Sequence, residues 1–447
     1  MPVFKLIGSD MKPNTFVTKP PRAPVSRRQL VQTGLTLALN VALPAHAETP
    51  INATIQRAAI DTPVASIYSH GENAWAVTKT GRLWERVANA WRSISTAPAL
   101  DPNAPLVFAH GRLVGRGANG GLWVREGASP FNYGVTDSAK IAPYSSTCPL
   151  AFAIIGVVPD EKDKGKAWLV RFEPSAKGWA EVARSGEPVL PDARPIQLDL
   201  DAQLASALDG HIVVFAGPDS QRYRHAILGD AIEATRLIYL ERHSLKVIRA
   251  ITLDAPYVFE DIAPRALDVP GKLARRVALL TLRSGPNGAQ LALLQASDTN
   301  ANTIDIVALG DPIGTANRWI APMTNGEQIL AVHTPHIGGV LHNYQLVQDQ
   351  SGTKLKGTRL HTDLSNHIIG ARETDLSQWS KQAIVIPSQN LRKLRVFSAV
   401  APYHERGAIE LPGTVVQSAA MHLSTPRKTA GLFALLASGD LMEVSWL

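Results

Sequence analysis

A short phrase recurs along this chain and limits what it can fold into. Thr80-Gly81-Arg82-Leu83-Trp84-Glu85-Arg86 is followed by Asn119-Gly120-Gly121-Leu122-Trp123-Val124-Arg125, and a looser copy, Ser438-Gly439-Asp440-Leu441-Met442-Glu443-Val444, comes late in the sequence. Each copy reads as a polar-Gly turn feeding a strand in which apolar and polar residues alternate. Glycine tolerates the positive φ of such a turn, and alternation fits a strand buried on one face. The strands upstream repeat as well, Ile67-Tyr68-Ser69-His70-Gly71 against Val107-Phe108-Ala109-His110-Gly111. His70 to His110 is 40 residues and Trp84 to Trp123 is 39, the period of a four-stranded propeller blade.

Strands at 65–69, 74–78, 82–87 and 90–94 make a first blade, a second spans 106–135 and a third 150–183. Beyond residue 194 the wording changes, but strands rich in Val, Ile and Leu continue at 211–216, 236–240, 247–253, 277–282, 291–295, 329–333, 341–347, 383–386, 394–400 and 431–437. Gly, Pro, Asn or Asp turns separate them. Only 230–235 offers a helical turn. The chain therefore reads as all-β: a β-propeller over 64–447 with seven blades, eight also fitting at about 40–60 residues each. Its parts are Trp-rich blades at 64–192, a second group at 194–410 and closing strands at 414–447. Leu441–Trp446 is expected to join the sheet of the first blade and close the ring. Trp75, Trp84, Trp91, Trp123, Trp168 and Trp179 are spaced for packing between blades, with carbohydrate stacking as the alternative.

Residues 1–47 read as a cleavable export signal and 48–63 as a linker. A polar lead ends at Arg27 and Arg28, a mildly apolar run reaches Leu43, and Ala45 and Ala47 offer small residues to a signal peptidase. The paired arginines with a weak apolar core resemble a twin-arginine signal, with Leu30 where Phe is usual, which implies export to the periplasm of an already folded protein. The apolar run is too short and too polar to span a bilayer. This segment carries six cations and one anion, so of the formal charge of +7 only +2 belongs to the rest. That balance gives no reason to invoke nucleic acid or an anionic membrane. The single cysteine, Cys148, excludes an internal disulfide and a Cys-based zinc site, and reads as buried filler.

Four stretches carry a family resemblance: residues 222–234 (Arg222-Tyr223-Arg224-His225-Ala226-Ile227-Leu228-Gly229-Asp230-Ala231-Ile232-Glu233-Ala234), Val258-Phe259-Glu260-Asp261-Ile262-Ala263-Pro264-Arg265, Asn317-Arg318-Trp319-Ile320-Ala321-Pro322 and Ser365-Asn366-His367-Ile368-Ile369-Gly370. Together they resemble bacterial secreted FG-GAP/VCBS-repeat propellers, whose blades are similar to those of the integrin α-subunit head. The resemblance implies a propeller and, in typical members, Asp-rich loops that hold calcium. Here the corresponding loops, 267–272, 323–327 and 376–379, keep one carboxylate or none. Calcium takes six to eight oxygens, so these loops are expected to hold no ion. Asp199-Leu200-Asp201 is the one pair with suitable spacing, and it lacks the Asp-Gly that should follow.

Two groups of residues stand out as candidate sites. His225, Asp230, Glu233, Glu260 and Asp261 are polar residues in apolar surroundings. Should His225 meet Asp230 or Glu260 across a central channel, acid–base chemistry becomes available; otherwise they cap blade corners and pair with arginines. Five histidines, His333, His336, His342, His361 and His367, lie between 333 and 367, but the odd spacing of His333 and His336 argues against a shared metal. Arg318, Trp319, His336, Asn366, His367 and Arg372 are the candidate ligand-binding residues. No nucleophile elbow or phosphate-cradling loop is present. The functional expectation is a monomeric, non-enzymatic periplasmic propeller without cofactor that binds a protein or small ligand on one face; the alternative is a hydrolase or cofactor enzyme with a polar site in the channel.

Overall fold

The computed structural model describes residues 51–94, 99–126, 133–350, 352–421 and 430–446. Arg27, Arg28, Ala45 and Ala47 lie outside the described residues. Strand accounts for 53% and helix for 2%, the latter in two 3-10 turns, Leu204–Ser206 and Gly271–Arg275. The stretch 230–235, expected as a helical turn, instead leads into the strand Glu233–Leu240. The strand expected at 236–240 therefore starts three residues earlier, at Glu233.

The strands form five four-stranded sheets and one sheet of 13 strands. Within the large sheet the register separates three antiparallel runs. The first comprises Ile196–Leu198, His211–Asp219, Glu233–Leu240 and Val247–Thr252. The second is Arg265–Leu267, Ala278–Gly285, Gly288–Ala296 and Ile304–Gly310. The third is Ile320–Thr324, Ile329–His333, Val340–Asp349 and Gly352–Thr362. The short strand Val258–Phe259 and a brief parallel contact at Leu309–Lys354 tie them together.

Each sheet packs its apolar faces on its sequence neighbours. Trp75, Val77 and Leu83 meet Leu113 and Trp123; Val114, Leu122 and Val124 meet Ile154, Val170 and Phe172. Met323, Leu330 and Val332 meet Ile384, Ile386 and Phe397. The cycle closes where Ile67, Trp84 and Trp91 of the first set meet Phe433, Leu435 and Leu441 of the last. Trp75, Trp84, Trp91, Trp123 and Trp179 are all buried between sheets, which favours packing over carbohydrate stacking.

Closure differs from the sequence expectation. Leu441–Trp446 stays beside Ala430–Leu436, and its other edge pairs with Ala53–Arg57. That strand falls in the stretch read as linker. Four of its five residues are exposed, so it carries no alternation to signal it. The first set, Val64–His70 to Ala90–Ile94, is a separate sheet.

Antiparallel sets in series have two distinct ends. The loop between the second and third strands and the link to the next set emerge at the same end. Loops 220–232 and 334–339 therefore share one end with links 141–147, 185–195, 253–264, 311–319 and 363–377. Most of the candidate residues lie on these segments.

Candidate functional site

At this end Glu260, fully buried just after Val258–Phe259, joins three elements. His225 Nδ1 lies 2.5 Å from Glu260 Oε1, Ser284 Oγ donates to Oε2 at 2.5 Å, and Trp319 Nε1 donates to the Glu260 carbonyl at 3.3 Å. An ionised carboxylate only accepts, so with Glu260 ionised His225 donates its Nδ1–H, which leaves Nε2 outside this bond. Burial raises the Glu260 carboxyl above its usual range, while His225 and Ser284 oppose the rise.

Trp319 links this group to a second one. Its ring centroid is 4.5 Å from His367 and its plane is nearly parallel to that of His336. His367 Nε2 lies 2.9 Å from the Ala371 carbonyl, and His336 Nε2 lies 2.9 Å from His367 Nδ1. The carbonyl fixes the proton on His367 Nε2, so His367 Nδ1 accepts from His336 Nε2–H. Burial pushes both imidazoles down to about 4, which keeps them neutral at pH 7. Ile337 and Ile369, 63% and 64% exposed, flank the pair.

The third group centres on Arg372. Its Nε donates to Asp192 Oδ2 at 2.9 Å, its Nη2 to Asp230 Oδ2, and its guanidinium covers the Tyr144 ring at 4.5 Å. Gly229 makes room for it. With φ of +103°, a Cβ here would collide with Arg372 Nη1 and sit 2.8 Å from the Gly370 oxygen. Burial, then the Asp230 charge, raises Asp192. Beside Arg372 a cavity of about 300 Å³ opens, lined among others by Tyr68, Tyr144, Arg194, Glu373 and Gln417.

Asp261 is buried and held by Arg265 Nη1 at 2.7 Å. Glu233 is 3% exposed, and its carboxyl has no hydrogen-bond or ion-pair partner among the described residues. Burial and the neighbouring Glu260 charge push its carboxyl well above the usual range. The five carboxylates Asp192, Asp230, Glu233, Glu260 and Asp261 thus share one region, but with different partners.

The structure brings His225, Asp230, Glu233, Glu260, Asp261, Trp319, His336, His367 and Arg372 to one end. Arg318 lies at the rim, with Nη1 on its neighbour's carbonyl. Asn366 is fully buried and donates to Asp375 at 3.1 Å, a structural bond in the interior. His333 stacks on His342 and contacts Tyr344, while His361 Nε2 contacts the Tyr403 carbonyl. Among the described residues no group of three His, Cys, Asp or Glu side chains is arranged for a metal ion. Asp201 is committed to Arg249 at 2.8 Å, and Asp268 accepts the Leu204 N–H at 3.0 Å. Sequence reading missed Tyr68, Tyr144, Asp192, Arg194, Ser284 and Glu373, which stand alone in their segments with no motif around them.

No family model matches the chain, and no curated protein does. Among solved structures it is similar to Sqt1 of Saccharomyces cerevisiae, at 11% identity and TM-score 0.55, over 89% of this chain and 99% of that one. A europium-containing methanol dehydrogenase matches at 6% identity and TM-score 0.53, over 88% and 93%. These likenesses and the cyclic order of sheets define the fold as a β-propeller. Among the described residues no helix is long and apolar enough to cross a membrane.

Proposed function

We propose that this propeller has eight blades and binds a small ligand or a protein partner, without catalysis, at the end where loops 220–232 and 334–339 emerge. The blade count is supported by eight antiparallel four-strand sets. The observation that carries the binding reading is that one end of the ring holds both an open cavity lined by Arg372, Arg194, Glu373 and Tyr144 and the group of Trp319, His336 and His367 with its two exposed isoleucines. Such convergence of polar groups on a concavity is the usual signature of a ligand site.

Export by the twin-arginine route to the periplasm, with the protein acting there as a monomer, completes the reading. It is supported by Arg27, Arg28 and the small residues Ala45 and Ala47. The FG-GAP/VCBS-like wording of 194–410 belongs to the same reading. Arg27→Lys with Arg28→Lys should hold the precursor in the cytoplasm.

Native mass spectrometry of protein purified after its own export tests the binding role. A small-molecule or protein adduct is expected, diminished in His225→Asn and His336→Asn variants. A bare mass, or an adduct indifferent to both, contradicts it.

One observation favours a second reading. His225, oriented by Glu260 and presenting Nε2, has the arrangement of a general base, and Glu233 of a protonated acid. Turnover of the adduct that His225→Asn abolishes while its binding persists would favour that enzyme.

A further inference from the structure

The cavity beside Arg372 is lined by two opposite charges, Arg194 and Glu373, that form no ion pair with each other. Arg372 itself is committed to Asp192 and Asp230. Arg194 is not: its Nη2 donates to the Arg372 carbonyl at 2.6 Å, its Nε is buried with no acceptor, and among the described residues no carboxylate lies within 4.0 Å of it. A buried guanidinium without a carboxylate partner is costly, and the group lines the cavity, from which an anion can reach it. Glu373 faces the same cavity. Gln417 orients it: the amide oxygen accepts the Ile67 N–H at 2.9 Å, and Nε2 donates to Glu373 Oε2 at 3.3 Å. Arg194 and Glu373 sense each other, since the Arg194 charge draws the Glu373 carboxyl down against the rise that burial causes. They nevertheless form no ion pair. Val416, Leu435 and Tyr68 line the same cavity and supply apolar wall.

Two opposite charges that line one cavity without pairing with each other complement a ligand that carries both. We infer that this cavity is a subsite for a small zwitterion of the amino-acid type, its carboxylate on Arg194 and its ammonium on Glu373. The inference rests on the reading of this end as the binding face and names the chemistry of its ligand. The carboxylate pairs with the Arg194 guanidinium through charge-assisted hydrogen bonds, and the ammonium pairs with the Glu373 carboxylate. A lone anion leaves Glu373 unmatched and repelled, and a lone cation does the same to Arg194. The site therefore discriminates by its unpaired partner as much as by its paired one.

Isothermal titration of the full mature chain with L-leucine, and with two compounds that each lack one charge, 4-methylpentanoate and 3-methylbutylamine, separates these cases. Saturable one-to-one binding of leucine is expected, with both monofunctional compounds weaker by about tenfold or more. Arg194→Met should abolish the preference for leucine over the amine, and Glu373→Gln the preference over the acid. Should either variant fail to fold by near-ultraviolet circular dichroism, the three-ligand comparison on the wild type decides. Leucine binding no better than either fragment, binding unchanged in both folded variants, or no heat from leucine and glycine alike overturns the inference. An adduct on the exported protein that survives such a result would leave the binding face standing and refute only the zwitterion.

Discussion

Glu443 binds Arg86 at 3.1 Å across the seam where the last set meets the first. Glu85, the equivalent residue of the first copy of the repeated phrase, binds Arg125 of the next set at 3.3 Å. The recurring phrase thus specifies a strand and also an ion pair handed from one set to its neighbour. Glu443 additionally accepts the Trp91 indole N–H at 2.7 Å, and Arg86 lies 5.5 Å over the Phe433 ring. Both charged side chains are largely buried, at 8% and 16% exposure.

Breaking this seam pair should cost stability unequally. Arg86→Met is expected to lose about 2 kcal/mol, and Glu443→Gln more, because the indole loses a charged acceptor as well. Urea denaturation of the two single variants and the double variant should give a coupling of about 1–2 kcal/mol. Strictly additive effects would mean that the pair does not hold the ring closed.

Two glycines with positive φ separate backbone strain from crowding. Gly71 has nothing within 4 Å of an added Cβ, whereas at Gly229 the Cβ meets Arg372 and the Gly370 oxygen. Gly71→Ala should therefore cost about 1 kcal/mol and Gly229→Ala about 2–3 kcal/mol. Only the second should also reduce ligand binding, by displacing Arg372. Equal losses from thermal unfolding would contradict the packing described here.

The imidazole pair gives a pH dependence whose sign is fixed. His367 is pushed down to about 4 from an ordinary 6.5. Between these values the unfolded chain binds a proton that the folded one does not, so stability rises with pH. The neutral form's contribution is complete above pH 6.5 and is lost as pH falls through about 4. At its ceiling it is roughly 3 kcal/mol. Asp375 runs the other way. Burial raises it to about 6, so above its unfolded value its contribution falls as pH rises to 6. Tm measured from pH 7.5 to 4.5 should drop less in His367→Asn than in wild type; a slope unchanged by the substitution would exclude His367 as its source.

Cys148 should be chemically silent. Burial pushes its thiol up to about 12, and its side chain sits in the core. A disulfide reagent should label it only after unfolding in urea, and rapid labelling of native protein would show that the core opens there.

Repetition and runs of Val, Ile and Leu made most blade strands legible. The phrase around Trp84 and Trp123 announced propeller blades by recurring at the blade period, although Gly121–Glu126 is buried almost throughout. Ala53–Arg57 gave no such signal because its residues are mostly exposed, and of Glu233–Leu240 only the Val/Ile/Leu-rich part from Arg236 was legible, its start lying in the stretch read as a helical turn. The candidate site was visible only as isolated polar residues. That His225 selects Glu260 over Asp230, and that Asp230 goes to Arg372, depends on which loops share an end of the ring. This is a property of chain topology that no local window contains.

Hydrogen–deuterium exchange, comparing the exported protein with its adduct bound and removed, tests the central claim most directly. Protection is predicted in 223–229, 334–339 and 366–373. Protection confined to the opposite end, at 199–209 and 241–246, or to the outer strands, would contradict the assignment of the binding face.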